Sequence, residues 1–225
     1  MITPLLSTWR KDAFLRQSAA LLLFLIACLL PPFACAAEPL LADASILDAL
    51  RAKAASVQSI RSDFVQKTHI PMFTNPMQSR GRFMFMRPDA LLWEYTEPMA
   101  EGFILSGGKG FQWDEGRQSH KPFNPENDPI AAIIARQLVA WITFDTNMIG
   151  KEYAIEPTNR EPLRLKMTPL RQDIASVIES ITITFTPEGP ASLVELRERR
   201  GGATTIAFTR TMVNVPLDAA AFQQP

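Results

Sequence analysis

The sequence predicts an α+β fold that is mainly antiparallel β, with a sheet strongly curved or rolled into a half-closed barrel and a helix over the open end. Three observations predict it. Strand-like runs succeed one another through most of residues 59–213, separated by turns rich in Gly, Pro and Asp, and long series of neighbouring antiparallel strands curl or close. The run Arg80-Gly81-Arg82-Phe83-Met84-Phe85-Met86 is apolar at both parities. Successive strand side chains point to opposite faces, so Phe83 and Phe85 share one face while Met84 and Met86 share the other. A sheet with one wet face alternates apolar and polar residues instead, so here both faces are covered or one lines an apolar cavity. Finally, residues 128–144 read as a helix that is apolar nearly all round, which must be buried on most sides or shield something greasy.

At the amino end, Arg10, Lys11 and Arg16 precede an apolar core of about 13 residues, and Ala34-Cys35-Ala36 supplies a small-x-small cleavage site. That core is shorter than the roughly 20 residues needed to span a bilayer. Residues 1–37 therefore read as a removable export signal, and 38–225 as one exported domain. A second reading of the same stretch is a lipobox, Leu25-Ile26-Ala27-Cys28, which would make Cys28 an acylated anchor. Both cysteines, Cys28 and Cys35, fall inside this segment. Removal of the signal would leave no thiol for a disulfide, a nucleophile or a metal. Roughly 190 remaining residues can bury one sizeable core. Lys and Arg (23) balance Asp and Glu (23) without a basic stripe, so nothing points to nucleic acid.

Next, Ser45 and Asp48 form a weak capping box for a helix over residues 45–57, with Ile46, Ala49, Leu50, Lys53 and Val57 on one stripe. A strand over 59–70 follows, with Ile60, Ser62, Phe64, Gln66, Thr68 and Ile70 on one face and Arg61, Asp63, Lys67 and His69 on the other. Two prolines make 71–77 a turn. The doubly apolar strand then leads through Arg87-Pro88-Asp89 into Ala90-Leu91-Leu92-Trp93-Glu94-Tyr95. Arg87 lies on the parity of Phe83 and Phe85, and a guanidinium at the rim of an apolar surface calls for a partner.

A hairpin joins Phe103 to Leu105 and Phe111 to Asp114 through Ser106-Gly107-Gly108-Lys109-Gly110. In the apolar helix, Asp128 is the N-cap and Pro129 the first helical residue. Ile130, Ile133, Ile134, Leu138 and Trp141 then recur at helical spacing. Further strands are expected over 163–167, 177–186, 192–197 and 204–213. The clearest alternation is Ile181-Thr182-Ile183-Thr184-Phe185-Thr186, with turns at Glu188-Gly189-Pro190 and Arg200-Gly201-Gly202.

Catalytic chemistry finds little support. His69 and His120 stand about fifty residues apart with no metal-ligand spacing, and each reads as a solvated surface residue. No Gly-x-Ser-x-Gly elbow occurs, and the glycine-rich turn at 106–110 lacks the spacing and following helix of a phosphate loop. Glu94 and Glu97 fall on opposite faces or past a strand end. No enzyme, cofactor or metal site is expected. Met72, Met77, Met84, Met86, Met99, Met148, Met167 and Met212 are either core filler or the adaptable thioether surface of a binding protein.

In order, the chain shows a short helix, Asp63-Phe64-Val65-Gln66-Lys67, the Gly81 to Pro88 strand and turn, the Leu91-Leu92-Trp93 strand, Ser106-Gly107-Gly108-Lys109, and Asp218-Ala219-Ala220-Ala221-Phe222. This resembles the periplasmic outer-membrane lipoprotein carrier family, LolA, across the whole mature chain. The resemblance implies a half-closed barrel with an apolar concave face and a lid of helices. It further implies shielding of lipoprotein acyl chains between an inner-membrane release complex and an outer-membrane receptor, by a protein that acts as a monomer. The candidate cavity residues are Phe64, Phe83, Phe85, Leu91, Trp93, Ile181, Ile183 and Phe185, with the parity that faces the cavity left open by the sequence. Ile130, Ile133, Ile134, Leu138 and Trp141 go to the lid, and Arg87 to its latch, which would turn Phe83 and Phe85 inward. The hairpin lacks the family's aspartate, and the Pro- and charge-rich stretch over 159–173 has no clear counterpart. A lipid- or lipoprotein-sensing module of the same fold, anchored through Cys28, stays open as the other reading, with a cavity-free structural β-domain as the third.

Overall fold

The computed structural model describes residues 44–117, 119–123, 144 and 146–223. The expected export signal over 1–37, Cys28 included, and the expected apolar helix with Ile130, Ile133, Ile134, Leu138 and Trp141 lie outside the described residues.

Eleven strands make one antiparallel sheet. They are β1 (Ser59–His69), β2 (Met77–Met86), β3 (Ala90–Glu97), β4 (Glu101–Ser106), β5 (Lys109–Asp114), β6 (Ser119–Phe123), β7 (Tyr153–Arg160), β8 (Leu163–Pro169), β9 (Ile178–Phe185), β10 (Ala191–Glu198) and β11 (Ala203–Val213). Their spatial order is β6-β5-β4-β3-β2-β1-β11-β10-β9-β8-β7. Two meanders of consecutive strands are thus stitched together by the pairing of β1 with β11, and the sheet stays open between β6 and β7. The chain leaves the sheet at one open edge and returns at the other. The expected apolar helix falls in sequence between those two points.

Helix α1 (Ala44–Ser56) lies across one face. Its Leu50 packs into a core built from β7 to β10, and its Val57 neighbour packs into a second core built from β1 to β4, β11 and Val194. Val194 of β10 touches both cores. Side chains from both halves of the sheet therefore converge on α1, and that face is concave. Two shorter helices, α2 (Thr146–Glu152) and α3 (Gln172–Ala175), contribute Ile149 and Ile174 to the first core.

The doubly apolar strand is explained by two different covers. Phe83 and Phe85 of β2 face the hollow, whereas Met84 faces outward with Leu92, Ile104, Phe111 and Trp113. The outward patch is sealed by the C-terminal 3-10 turn Ala219–Phe222, whose Phe222 is 4 % exposed. Asp218 caps that turn by accepting the Ala220 N–H at 2.9 Å. The Asp-x-x-x-Phe ending is a cap plus a plug. At the β4–β5 hairpin, Gly107 (φ 57) and Gly108 (φ 72) occupy the left-handed region, as a tight two-residue turn requires.

Several expectations need correction. The helix starts at Ala44, which puts Ser45 inside it, and Asp48 pairs with Arg51 at 2.8 Å instead of closing a capping box. Its buried stripe is Ile46, Leu47, Leu50 and Ala54; Ala49 and Lys53 are exposed, with Lys53 Nζ reaching the Pro187 carbonyl at 2.7 Å. β6, β7, α2 and α3 were not legible. β6 and β7 carry Pro122 and Pro157, which edge strands tolerate and central strands do not. The charged stretch over 159–173 holds the end of β7 and all of β8, because Leu165 and Met167 alternate inward at 0 % exposure while Arg164, Lys166 and Thr168 face out.

Candidate functional site

Strand register decides which side chains share the hollow. From β1 outward in one direction, Phe64 is opposite Gly81, and Phe83 and Phe85 are opposite Trp93 and Leu91. Leu91 and Trp93 are in turn opposite Leu105 and Phe103. In the other direction Phe64 is opposite Phe208, Ile206 is opposite Val194, Val194 is opposite Ile183, and Leu196 is opposite Ile181. Phe185 follows on the same parity. All eight predicted cavity residues, Phe64, Phe83, Phe85, Leu91, Trp93, Ile181, Ile183 and Phe185, therefore stand on one face and are buried there. They divide between the two cores that meet at Val194.

The β1–β3 half is aromatic. The Trp93 ring lies 4.6 Å from Phe64, 5.8 Å from Phe83 and 6.3 Å from Phe208, the last nearly perpendicular at 88°. Edge-to-face and tilted pairs of this kind add to simple burial. Phe208 and Tyr95 were missed as site residues, although both continue an inward parity, Phe208 from Ile206 and Tyr95 from Leu91 and Trp93. Gly81 has a spatial cause. A Cβ there would come 2.0 Å from the Glu94 carbonyl oxygen and 2.4 Å from Cζ of Phe64, whose ring covers the glycine.

One end of this apolar surface is polar. Tyr95 donates its hydroxyl proton to Oε1 of Gln66 at 2.9 Å, and Nε2 of Gln66 donates to Oγ1 of Thr68 at 3.2 Å. Burial pushes the Tyr95 phenol far up, the Glu101 carboxylate adds to this, and the Trp93 indole and Gln66 oppose it; the group stays protonated at any physiological pH.

Arg87 sits at the other end of the β2 row, half-buried. Its Nε donates to the Val57 carbonyl at 2.6 Å and its Nη2 to the Ala54 carbonyl at 2.8 Å. These acceptors close the carboxyl end of α1, where carbonyls lack helical partners and the helix dipole favours a cation. The arginine expected to hold a lid helix over 128–144 thus holds, among the described residues, the helix that crosses the hollow. Asn214, in the left-handed region at φ 57, ties the same helix end by accepting the Gln58 N–H at 2.6 Å and donating to the Ser56 carbonyl at 3.2 Å.

No three His, Cys, Asp or Glu side chains gather as a metal site among the described residues. His69 and His120 are exposed. Glu94 pairs with Arg82, and Glu97 with Arg80 at 3.6 Å, both on the outer surface.

Comparison with known proteins bears on this hollow. The family model described as outer membrane lipoprotein carrier protein LolA matches residues 55–225. The outer-membrane lipoprotein carrier protein of Cupriavidus taiwanensis is 28 % identical over 187 residues, covering 81 % of this chain and 84 % of that one. That of Bordetella avium is 29 % identical over 182 residues, covering 78 % and 80 %. Among solved structures, the Pseudomonas aeruginosa MucA/MucB complex contains a chain that superposes with a TM-score of 0.52 at 14 % identity, over 82 % of this chain and 62 % of that one, a likeness of fold.

Proposed function

The chain belongs to the outer membrane lipoprotein carrier protein LolA family, and from that premise we propose that it ferries lipoproteins from the inner to the outer membrane with their acyl chains held in the hollow of its sheet. The observation that carries this reading is the continuous apolar face that strand register assembles from both meanders under α1. Each methylene moved from water into such a surface gains about 0.8 kcal/mol, so an acyl chain has a strong reason to enter it. On this reading the lid is supplied by Ile130, Ile133, Ile134, Leu138 and Trp141, which fall in sequence between β6 and β7. Arg87 is the latch between wall and cover. The work is binding and transfer, without chemistry on the cargo.

The route runs through the periplasm, which the basic start, apolar core and Ala34-Cys35-Ala36 site of the leader support. The partners are a release complex in the inner membrane and a receptor at the outer one, met by a single copy of this chain. The test is direct. The protein is purified from periplasm after co-expression with a lipoprotein, and acylated cargo is sought by mass spectrometry. Stoichiometric acylated protein is the expected result, and protein that is consistently empty under those conditions overturns the proposal.

A further inference from the structure

The hollow has a polarity that an apolar sleeve does not need. Along β1, the inward positions run from Ile60 near Arg87, through Ser62, whose hydroxyl is paired with that of Thr211 at 2.8 Å, and Phe64, to Gln66 and Thr68 at the far end. Gln66 is 2 % exposed and Thr68 4 %, and Ser79, opposite Gln66, is 4 % exposed. Buried polar groups cost stability unless paired, and the Tyr95–Gln66–Thr68 chain is paired internally. Trp93 lies where the aromatic and polar parts meet. It is 8 % exposed, and its Nε1 has no hydrogen-bond partner among the described residues. The Tyr95 phenol oxygen is the nearest candidate acceptor and the indole is close enough to lower the Tyr95 pKa, but the pair falls short of hydrogen-bond geometry, so Nε1 is left without a partner. The other buried polar atoms left without a partner, Nε of Arg164 and Oγ1 of Thr184, belong to residues opposite each other on the outer face of the sheet. Of the buried side-chain polar atoms of the described residues, only the indole N–H is an unmet donor on the concave side.

A neutral buried donor at the edge of an apolar surface matches a neutral acceptor attached to an apolar chain. We propose that Nε1 of Trp93 donates a hydrogen bond to the carbonyl oxygen of an acyl ester or amide, with the hydrocarbon running from there past Phe85 and Leu91. This rests on the carrier reading and adds an orientation to it. A carboxylate or phosphate is disfavoured, because no cation lines this part of the face among the described residues. The carbonyl could come from an acylated protein or from a free membrane lipid, since both present the same linkage.

The test compares binding of a diacyl lipopeptide with that of its dialkyl ether analogue, which keeps the chains and removes the carbonyls. A phospholipid and its ether analogue form a second pair. Wild-type protein is expected to prefer the ester by about threefold to tenfold, the factor for one neutral hydrogen bond. Trp93→Phe, and separately benzothienylalanine at position 93, an indole isostere without the N–H, are expected to bring the ratio to about one. Isotope-edited infrared should show the ester carbonyl band of bound lipopeptide moving toward its unbonded position in both variants. Loss of preference with the lipopeptide alone assigns the carbonyl to protein cargo, and with the phospholipid alone to free lipid. An ester-to-ether ratio unchanged in both variants, as a buried water at Nε1 would give, overturns the subsite and leaves the carrier reading standing. Wild-type protein that binds none of the four probes overturns both.

Discussion

Replacing Arg87 by leucine is the sharpest probe of the cover over the hollow. The side chain gives two hydrogen bonds to the end of α1, at 2.6 and 2.8 Å, while its backbone N–H separately reaches the Gln58 carbonyl at 2.9 Å and survives the change. Hydrogen bonds from a charged group are worth about 1.5–3 kcal/mol each when shielded, and a cation at a helix carboxyl end adds about 0.3–1 kcal/mol. Arg87 is only half-buried, so water replaces part of this, and about 2 kcal/mol is the expected net loss for the pair. That corresponds to about a thirtyfold rise in the frequency with which α1 leaves the sheet. Native-state hydrogen exchange reads it. Amides of α1 should lose about thirtyfold protection in Arg87→Leu, while those of β1 and β11, whose ladder is untouched, keep theirs. Arg87→Lys should recover only part, because a single ammonium cannot span two carbonyls as a guanidinium fork does. Unchanged α1 protection, or an equal fall across helix and sheet, would refute the reasoning. Handover of acylated cargo to an acceptor should be impaired in the same variant, and wild-type transfer would remove Arg87 from the latch role.

Three further outcomes are expected. Gly81→Ala should destabilise by about 2–3 kcal/mol, because the new Cβ meets a backbone carbonyl and the Phe64 ring, lowering the thermal midpoint by about 4–12 °C in calorimetry. Phe222→Ala should cost about 3 kcal/mol in urea unfolding, against about 1 kcal/mol for Asp218→Ala, since the first uncovers the outer patch and the second only removes a cap. Asp173 is partly buried, which alone would raise its carboxyl, but the two Arg171 hydrogen bonds and the Ile174 N–H outweigh this and hold it below the ordinary value. Its stabilising contribution is therefore present above the ordinary carboxylate range and lost as pH falls through the depressed value. The stability gap between wild type and Asp173→Asn should accordingly close on acidification, and a gap independent of pH would contradict the pairing.

What could be read in advance was whatever local pattern dictates. Alternation placed Ile60, Ser62, Phe64, Gln66, Thr68 and Ile70 on one face; the first five are buried in β1, whereas Ile70 lies past the strand end and is half-buried. The same rule put Phe83 and Phe85 opposite Met84, and the need for two covers followed from it. The nature of the outer cover did not follow, because it comes from residues about 140 positions later, and nothing local links Phe222 to Met84. β6 and β7 were hidden because edge strands with a proline carry a weak alternation. Phe208 was visible as strand but not as site, since its place beside Trp93 depends on the β1–β11 pairing across most of the chain. Trp93 itself was readable as an aromatic wall. The unmet N–H was not, because satisfaction of a donor is a property of the assembled hollow.

The energies assign different tasks to cargo and cover. A sixteen-carbon acyl chain entering the hollow gains about 12 kcal/mol at 0.8 kcal/mol per methylene, several times the about 2 kcal/mol of the Arg87 bonds. The latch cannot keep cargo out, nor can it expel cargo once bound. If the closed state excludes cargo, the Arg87 bonds lower apparent affinity by at most about thirtyfold, roughly two methylenes' worth of burial. Release must then be driven by an acceptor that offers comparable apolar surface. The latch instead sets how often an empty hollow lies open to water and to stray lipid. On this arithmetic Arg87→Leu should bind a free acyl probe more tightly than wild type while delivering it less well. That combination separates a latch from a binding residue, whose loss would weaken both.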